Sequence, residues 1–182
     1  SVRITAVPVT AGYFETLGVA PALGRTFREE ESVGPGEPSY TGGARNPILP
    51  VLILSHRLWR EHFSADPEIV GRTVHLDDVA YEVVGVMPPG FDNPIGVGSE
   101  AWTPQDLREG GWNNWGNFYL SGVARLQDGL TLEAAQERAA ALHARLAEAN
   151  PDAGEWAPRL VPLHEDIVGS SRAVMLWILA GA

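Results

Sequence analysis

The apolar positions of this chain fall into short runs of two periods. Val2-Arg3-Ile4-Thr5-Ala6-Val7 alternates apolar and polar, the pattern of a half-buried strand, and Pro8 ends it or places it at a sheet edge. Thr10 stands where it can cap a short helix carrying Tyr13, Phe14 and Leu17, which Gly18 stops. Pro50-Val-Leu-Ile-Leu54 reads as a buried strand, and Ser55 as the cap of a helix with Leu58, Trp59, His62 and Phe63 on one face; Asp66-Pro67 ends or kinks that helix. Two runs, Arg72–Leu76 and Tyr81–Val86, flank Asp77-Asp78 and predict a β-hairpin closed off by Pro88-Pro89-Gly90.

The C-terminal part repeats the alternation of periods. Phe118–Leu126 reads as a strand and Asp128-Gly129 as a turn. Thr131 caps a helix whose Leu132, Ala135, Ala139, Leu142 and Leu146 step by three and four, with Glu133 in the dipole-favoured first turn. Asn150-Pro151 stops this helix, and Arg159–Leu163 returns as a strand. Two stretches lack a period. Residues 32–47 are rich in Gly, Pro and Ser and predict a surface loop; residues 90–116 predict an ordered, irregular segment anchored by Trp102, Trp112 and Trp115.

The resulting fold class is α/β (α+β) with two subdomains. Strand–helix segments at the two ends form an outer subdomain, 1–44 and 101–170, and 45–100 forms a smaller α/β insert. Ala173–Ala182 is a charge-free stretch of 10 residues, readable as a buried helix or as the first half of a transmembrane helix, which needs about 20. Residues 171–182 are assigned to the start of such a membrane helix.

Charge and composition narrow the function. The chain has 182 residues, 45% of them hydrophobic, enough for a substantial core. Its net charge of −10 disfavours nucleic acid and anionic lipid surfaces. The absence of cysteine excludes disulfides, thiolate metal sites and cysteine nucleophiles. The five histidines show no His-Glu-x-x-His and no i, i+4 pair. Asp77/Asp78 and Glu165/Asp166 are adjacent pairs whose side chains diverge on extended backbone, which suits solvated turns better than acid–base catalysis. No phosphate-binding glycine loop and no nucleophile elbow is present, so no cofactor and no enzymatic activity are expected. Gly111–Tyr119 mixes aromatics with amides. Trp112, Trp115 and Tyr119 either line a ligand or partner contact or bolt an irregular segment to the body, and the turn at Asp77 and Asp78 is a second exposed contact candidate.

Three stretches together carry a family resemblance. They are Thr10-Ala-Gly-Tyr-Phe-Glu-Thr-Leu-Gly-Val19 with Pro21–Phe27; Val51–Ser55 with Leu58-Trp59, Phe63 and Asp66-Pro-Glu-Ile-Val-Gly-Arg-Thr-Val74; and Tyr81-Glu-Val-Val-Gly-Val-Met-Pro-Pro-Gly-Phe91. Val123–Thr131 and Val161–Glu165 continue the pattern. The chain resembles the MacB-like periplasmic core domain of ABC transporter permeases of FtsX/MacB type, especially the large acidobacterial duplicated orphan permeases. The resemblance implies a non-catalytic extracytoplasmic domain between the first two transmembrane helices of a bacterial inner-membrane permease. It implies as partners those helices, a second copy in a homodimer or pseudo-dimer, an ATPase subunit or domain, and a periplasmic adaptor, with no nucleic acid. In that reading Gly18 and Gly71 are backbone punctuation, and Phe14, Trp59 and Phe63 are core. The alternative is an extracytoplasmic domain that senses or binds a small ligand through the Trp-rich segment.

Overall fold

The computed structural model describes residues 4–32, 50–76, 79–95, 98–105, 121–150 and 157–167. They belong to two compact units, Ser1–Asn113 and Asn114–Ala182. The first unit carries, in chain order, β1 (Ala6–Val9), α1 (Tyr13–Leu17), β2 (Leu23–Gly24), α2 (Glu29–Ser32), β3 (Val51–Leu54), α3 (His56–Phe63), β4 (Thr73–Leu76), β5 (Val79–Val86) and β6 (Ala101–Pro104). The second carries α4 (Leu132–Ala149).

One mixed sheet organises the first unit, in the order β1-β6-β3-β5-β2, with β4 also on β5. The all-apolar β3 is buried at every residue because it lies mid-sheet, parallel to β5 and antiparallel to β6. β5 is long enough to serve two partners along its other edge: β4 pairs with Val79–Glu82 and β2 with Gly85 and Val86. Its burial follows from this, half-exposed at the start and fully buried from Val83 onward.

Adjacent strand residues point to opposite faces, and both faces are covered. On one, Leu52, Leu54 and Ala101 pack with Val83, Val86, Leu58 of α3 and Ile69. On the other, Trp102 meets Phe14 of α1 edge-on at 5.6 Å, and Phe91 lies 5.6 Å from the indole. Phe27 closes on Phe14 at 6.2 Å. Fully buried aromatics such as Phe14 and Trp102 contribute the largest areas to this core.

Several expected elements shift. The first strand runs over Ala6–Val9 and so includes Pro8, which it tolerates because β1, among the described residues, pairs on one side only, with β6. Gly12, not Thr10, is the N-cap of α1; Gly18 ends it in the left-handed region, as the sequence predicts. Ser55 caps α3 as expected, accepting from the Leu58 N–H at 3.1 Å. That helix stops at Ser64, ahead of Asp66-Pro67, and His62 points to solvent while Leu58 is buried. The expected hairpin pairing forms, with Leu76 set against Val79, so that β5 starts two residues ahead of the expected Tyr81; Asp77 and Asp78 themselves lie outside the described residues.

Two strands are not predicted by the sequence. β6 lies in the 90–116 segment, where four residues including Trp102 and Pro104 are too short and mixed to show alternation. β2 has only two residues. The sheet also crosses both expected subdomain boundaries: β1 and β6, from the expected outer part, join β3, from the expected insert.

In the second unit α4 forms as expected, with the Thr131 hydroxyl accepting from the Ala134 N–H at 3.2 Å. Neither flanking strand does over its described residues: 121–126 and 159–162 have no ladder, and 163–167 form a helical turn. The Gln136 side chain instead pins the returning chain, donating to the Pro158 carbonyl at 2.6 Å and accepting from the Leu160 N–H at 2.8 Å. A peptide group bonded to a side chain has no need of a neighbouring strand.

Candidate interaction surfaces

The residues named from sequence as contact candidates, Asp77, Asp78, Trp112, Trp115 and Tyr119, lie outside the described residues, as do 171–182. Their described flanks are placed. Thr73 and His75 are exposed on β4, Val79 is exposed at the start of β5, and β6 ends with the Gln105 N–H on the Val9 carbonyl at 2.9 Å.

The motif residues turn out to build the body. In Asp66-Pro-Glu-Ile-Val-Gly-Arg72, the Asp66 carboxylate accepts from the Glu68 N–H at 2.9 Å and pairs with Arg72 at 2.8 Å. The Asp66 carbonyl accepts from the Trp59 indole at 2.9 Å, fixing the turn to α3. Gly71, in the left-handed region, hands its N–H to the Val83 carbonyl at 2.8 Å. In Gly24-Arg-Thr-Phe27, Arg25 grips Glu31 with two bonds of 2.7 and 3.0 Å, and Glu31 also accepts from the Arg28 N–H at 2.8 Å. Burial pushes the Glu31 carboxyl up, but the guanidinium and the N–H outweigh it and hold the group below the usual range.

A family model of the MacB-like periplasmic core domain matches residues 1–142. The chain belongs to that family.

Two solved transporter domains are similar to this one. The extracellular domain of the noncanonic ABC-type transporter YknZ from Gram-positive bacteria aligns with a TM-score of 0.50 at 18% identity, over 81% of this chain and 65% of that one. The periplasmic region of MacB from Actinobacillus actinomycetemcomitans aligns with a TM-score of 0.45 at 16% identity, over 79% of this chain and 56% of that one. The chain thus spans between 56% and 65% of the solved domains it matches. The YknZ likeness supports the mixed α/β fold. No curated protein matches the sequence.

Within this MacB-like domain a polar network missed by sequence reading joins α1 to the loop before β6. The Tyr13 hydroxyl donates to the Asn93 side-chain oxygen, which also accepts from the Ile95 N–H at 3.2 Å. The Asn93 amide donates to Ser99 Oγ at 2.9 Å. Burial raises the Tyr13 phenol above its ordinary value. A lone Asn in a Gly/Pro-rich stretch carries no periodic signal, so nothing in the sequence marks it. Among the described residues no group of three or more His, Asp or Glu could hold a metal ion, and no helix is long and apolar enough to cross a membrane.

Proposed function

We propose that this MacB-like domain is the extracytoplasmic part of an ABC-type permease in a bacterial inner membrane, and that it couples movement of membrane helices to the handling of a substrate or partner without catalysing a reaction. The family match over residues 1–142 carries this reading. On this reading residues 171–182 lead into a transmembrane helix that follows the domain. A membrane-helix movement that reaches the sheet displaces it as a rigid body, because close-packed cores transmit displacement with little deformation. β3 is enclosed on both sides and both faces, which supports that role.

The turn at 77–78 and the aromatics Trp112, Trp115 and Tyr119 are the proposed contacts with a partner, an adaptor or the second protomer. An ATPase subunit or domain completes the assembly. The net charge of −10 keeps the domain clear of anionic headgroups.

The test uses the full-length permease. Engineered cysteine pairs lock the domains of two protomers together under oxidation. Transport, or ATPase stimulation by substrate, is expected to fall when the lock forms and to recover on reduction. Activity that persists unchanged in the locked state makes the domain a passive decoration.

A further inference from the structure

Glu100 precedes β6 and uses both its backbone and its side chain to tie three elements. Its N–H donates to the Thr5 carbonyl at 2.9 Å, and its carbonyl accepts from the Ser55 N–H at 2.8 Å. One carboxylate oxygen accepts from the Thr5 N–H at 3.2 Å, and the other accepts from Arg57 of α3 at 2.6 Å. The Thr5 carbonyl takes a second N–H, that of Ala101, at 3.3 Å. The residues brought together are 95 and 43 positions apart in sequence.

The energy of the ion pair does not account for this arrangement. The Arg57 side chain is 60% exposed and also reaches Glu61 at 3.4 Å, so solvent screens its end of the pair. The Glu100 side chain, by contrast, is only 16% exposed, so its carboxylate is held in one place. Holding it there lets a single rigid group bond the backbone entering β1 and the first turn of α3 together. Ser55, whose N–H is fixed by Glu100, is also the residue whose hydroxyl caps α3. A displacement at Thr5 therefore has two short routes into α3, one through the Glu100 carbonyl and Ser55, one through the carboxylate and Arg57.

We infer that Glu100 is a positioning residue that locks the entry to β1, the start of β6 and the N-terminal turn of α3 into one moving body. This deepens the coupling role proposed above and rests on it for its meaning in the permease, while the lock itself is testable in the 182-residue chain. The readout is amide hydrogen exchange resolved by residue. Glu100→Ala removes both carboxylate bonds, and Glu100→Gln keeps the shape without the charge, in case the first variant folds poorly. Exchange at the Thr5 amide is expected to rise about tenfold in Glu100→Ala and less in Glu100→Gln. Arg57→Gln leaves the Thr5 bond intact on paper, yet it frees the carboxylate to wander, so Thr5 exchange is expected to rise there as well, by about threefold. The amides of Leu52, Val83 and Val84 are expected to stay as they are.

An Arg57→Gln variant with unchanged Thr5 exchange overturns the lock, since the two arms would then be independent. So does a uniform rise across the sheet, which would mark Glu100 as an ordinary stability contact. In the full-length permease, Glu100→Ala is expected to lower transport at unchanged membrane abundance. Intact transport in that variant, with the Thr5–Arg57 linkage demonstrated in the isolated chain, overturns the part of the lock in transmission. If the interprotomer lock described above leaves activity unchanged, the coupling reading fails while the exchange result still stands.

Discussion

Gly24 and Gly85 face each other across the β2–β5 pairing, and neither has room for a side chain. A Cβ on Gly24 would overlap the Val84 carbonyl, and one on Gly85 would overlap the Arg25 carbonyl; both are backbone atoms that cannot swing aside. The short β2 lies this close because Ala22 and Arg25 donate to the Val86 and Val84 carbonyls at 2.8 and 2.9 Å.

Gly85→Ala is accordingly expected to cost about 3 kcal/mol, the upper end for overpacking, because relief requires β2 to leave the sheet. Gly129 supplies the control. Its φ is positive, 79°, which that of Gly85 is not, and its Cβ would meet nothing within 4 Å, so Gly129→Ala carries the left-handed backbone cost of about 1 kcal/mol without any overlap. Urea denaturation of both variants measures the difference, and equal losses would show that the close approach does not hold in solution.

These glycines also show where sequence reading reaches its limit. Gly24 and Gly85 are visible as part of motifs, yet nothing local says that they face each other, since the pairing joins segments 61 positions apart. β3, α3, the β4–β5 hairpin and α4 were legible because each buries a face at a constant period or is bounded by a cap such as Ser55 or Thr131. β2 and β6 are made by their partners rather than by their own patterns. The opposite error occurred at 159–162, where an apolar run suits a strand but Gln136 takes its backbone groups. Of the polar interactions, the Tyr13–Asn93–Ser99 network was not legible at all, because it depends on how a loop folds back on α1.

After α3 the chain places two consecutive non-glycine residues, Ser64 and Ala65, in the left-handed region, with φ of 54° and 53°. The reversal lets the Ala65 N–H reach the Trp59 carbonyl at 3.2 Å and brings the Asp66 carbonyl onto the Trp59 indole. Ser64 is exposed and no hydrogen bond from its side chain is seen among the described residues, so relief of strain decides the sign of a substitution there. Ser64→Gly is expected to stabilise the chain by about 1 kcal/mol. A rise in melting temperature checks this; a fall would mean that the wider freedom of glycine in the unfolded chain outweighs the strain.

Tyr13→Phe removes one hydroxyl from the α1 face and keeps the ring that stands edge-on to Phe14 at 5.5 Å. Asn93 retains its bond from Ile95, so the oxygen is not orphaned and the cost is expected near 1 kcal/mol. Burial raises the phenol above its ordinary 10.0, so the folded state holds this proton more tightly than the unfolded state. Its stabilisation is complete below pH 10.0 and is lost as pH rises through the folded value. Wild type should therefore lose stability in this alkaline range faster than Tyr13→Phe, and parallel curves in chemical denaturation would contradict that.

Glu31 works in the opposite direction. Burial alone would raise its carboxyl, but the two bonds from Arg25 and the N–H of Arg28 favour the charged form and bring the folded value below the ordinary 4.5. The unfolded state then binds the proton more readily, so Glu31 contributes stability that is complete above pH 4.5 and disappears as pH falls through the lower folded value. The contribution is expected to be near 1 kcal/mol, since the Arg25 side chain is 35% exposed and solvent screens it. Glu31→Gln should therefore be less stable than wild type at pH 7 by about that amount, with the two curves converging toward pH 3. Arg25→Gln tests the cause: it should bring the Glu31 carboxyl back up and abolish most of the convergence. A wild-type and Glu31→Gln difference that stays constant from pH 7 to pH 3 would assign the loss to packing at the root of α2 and not to the ion pair.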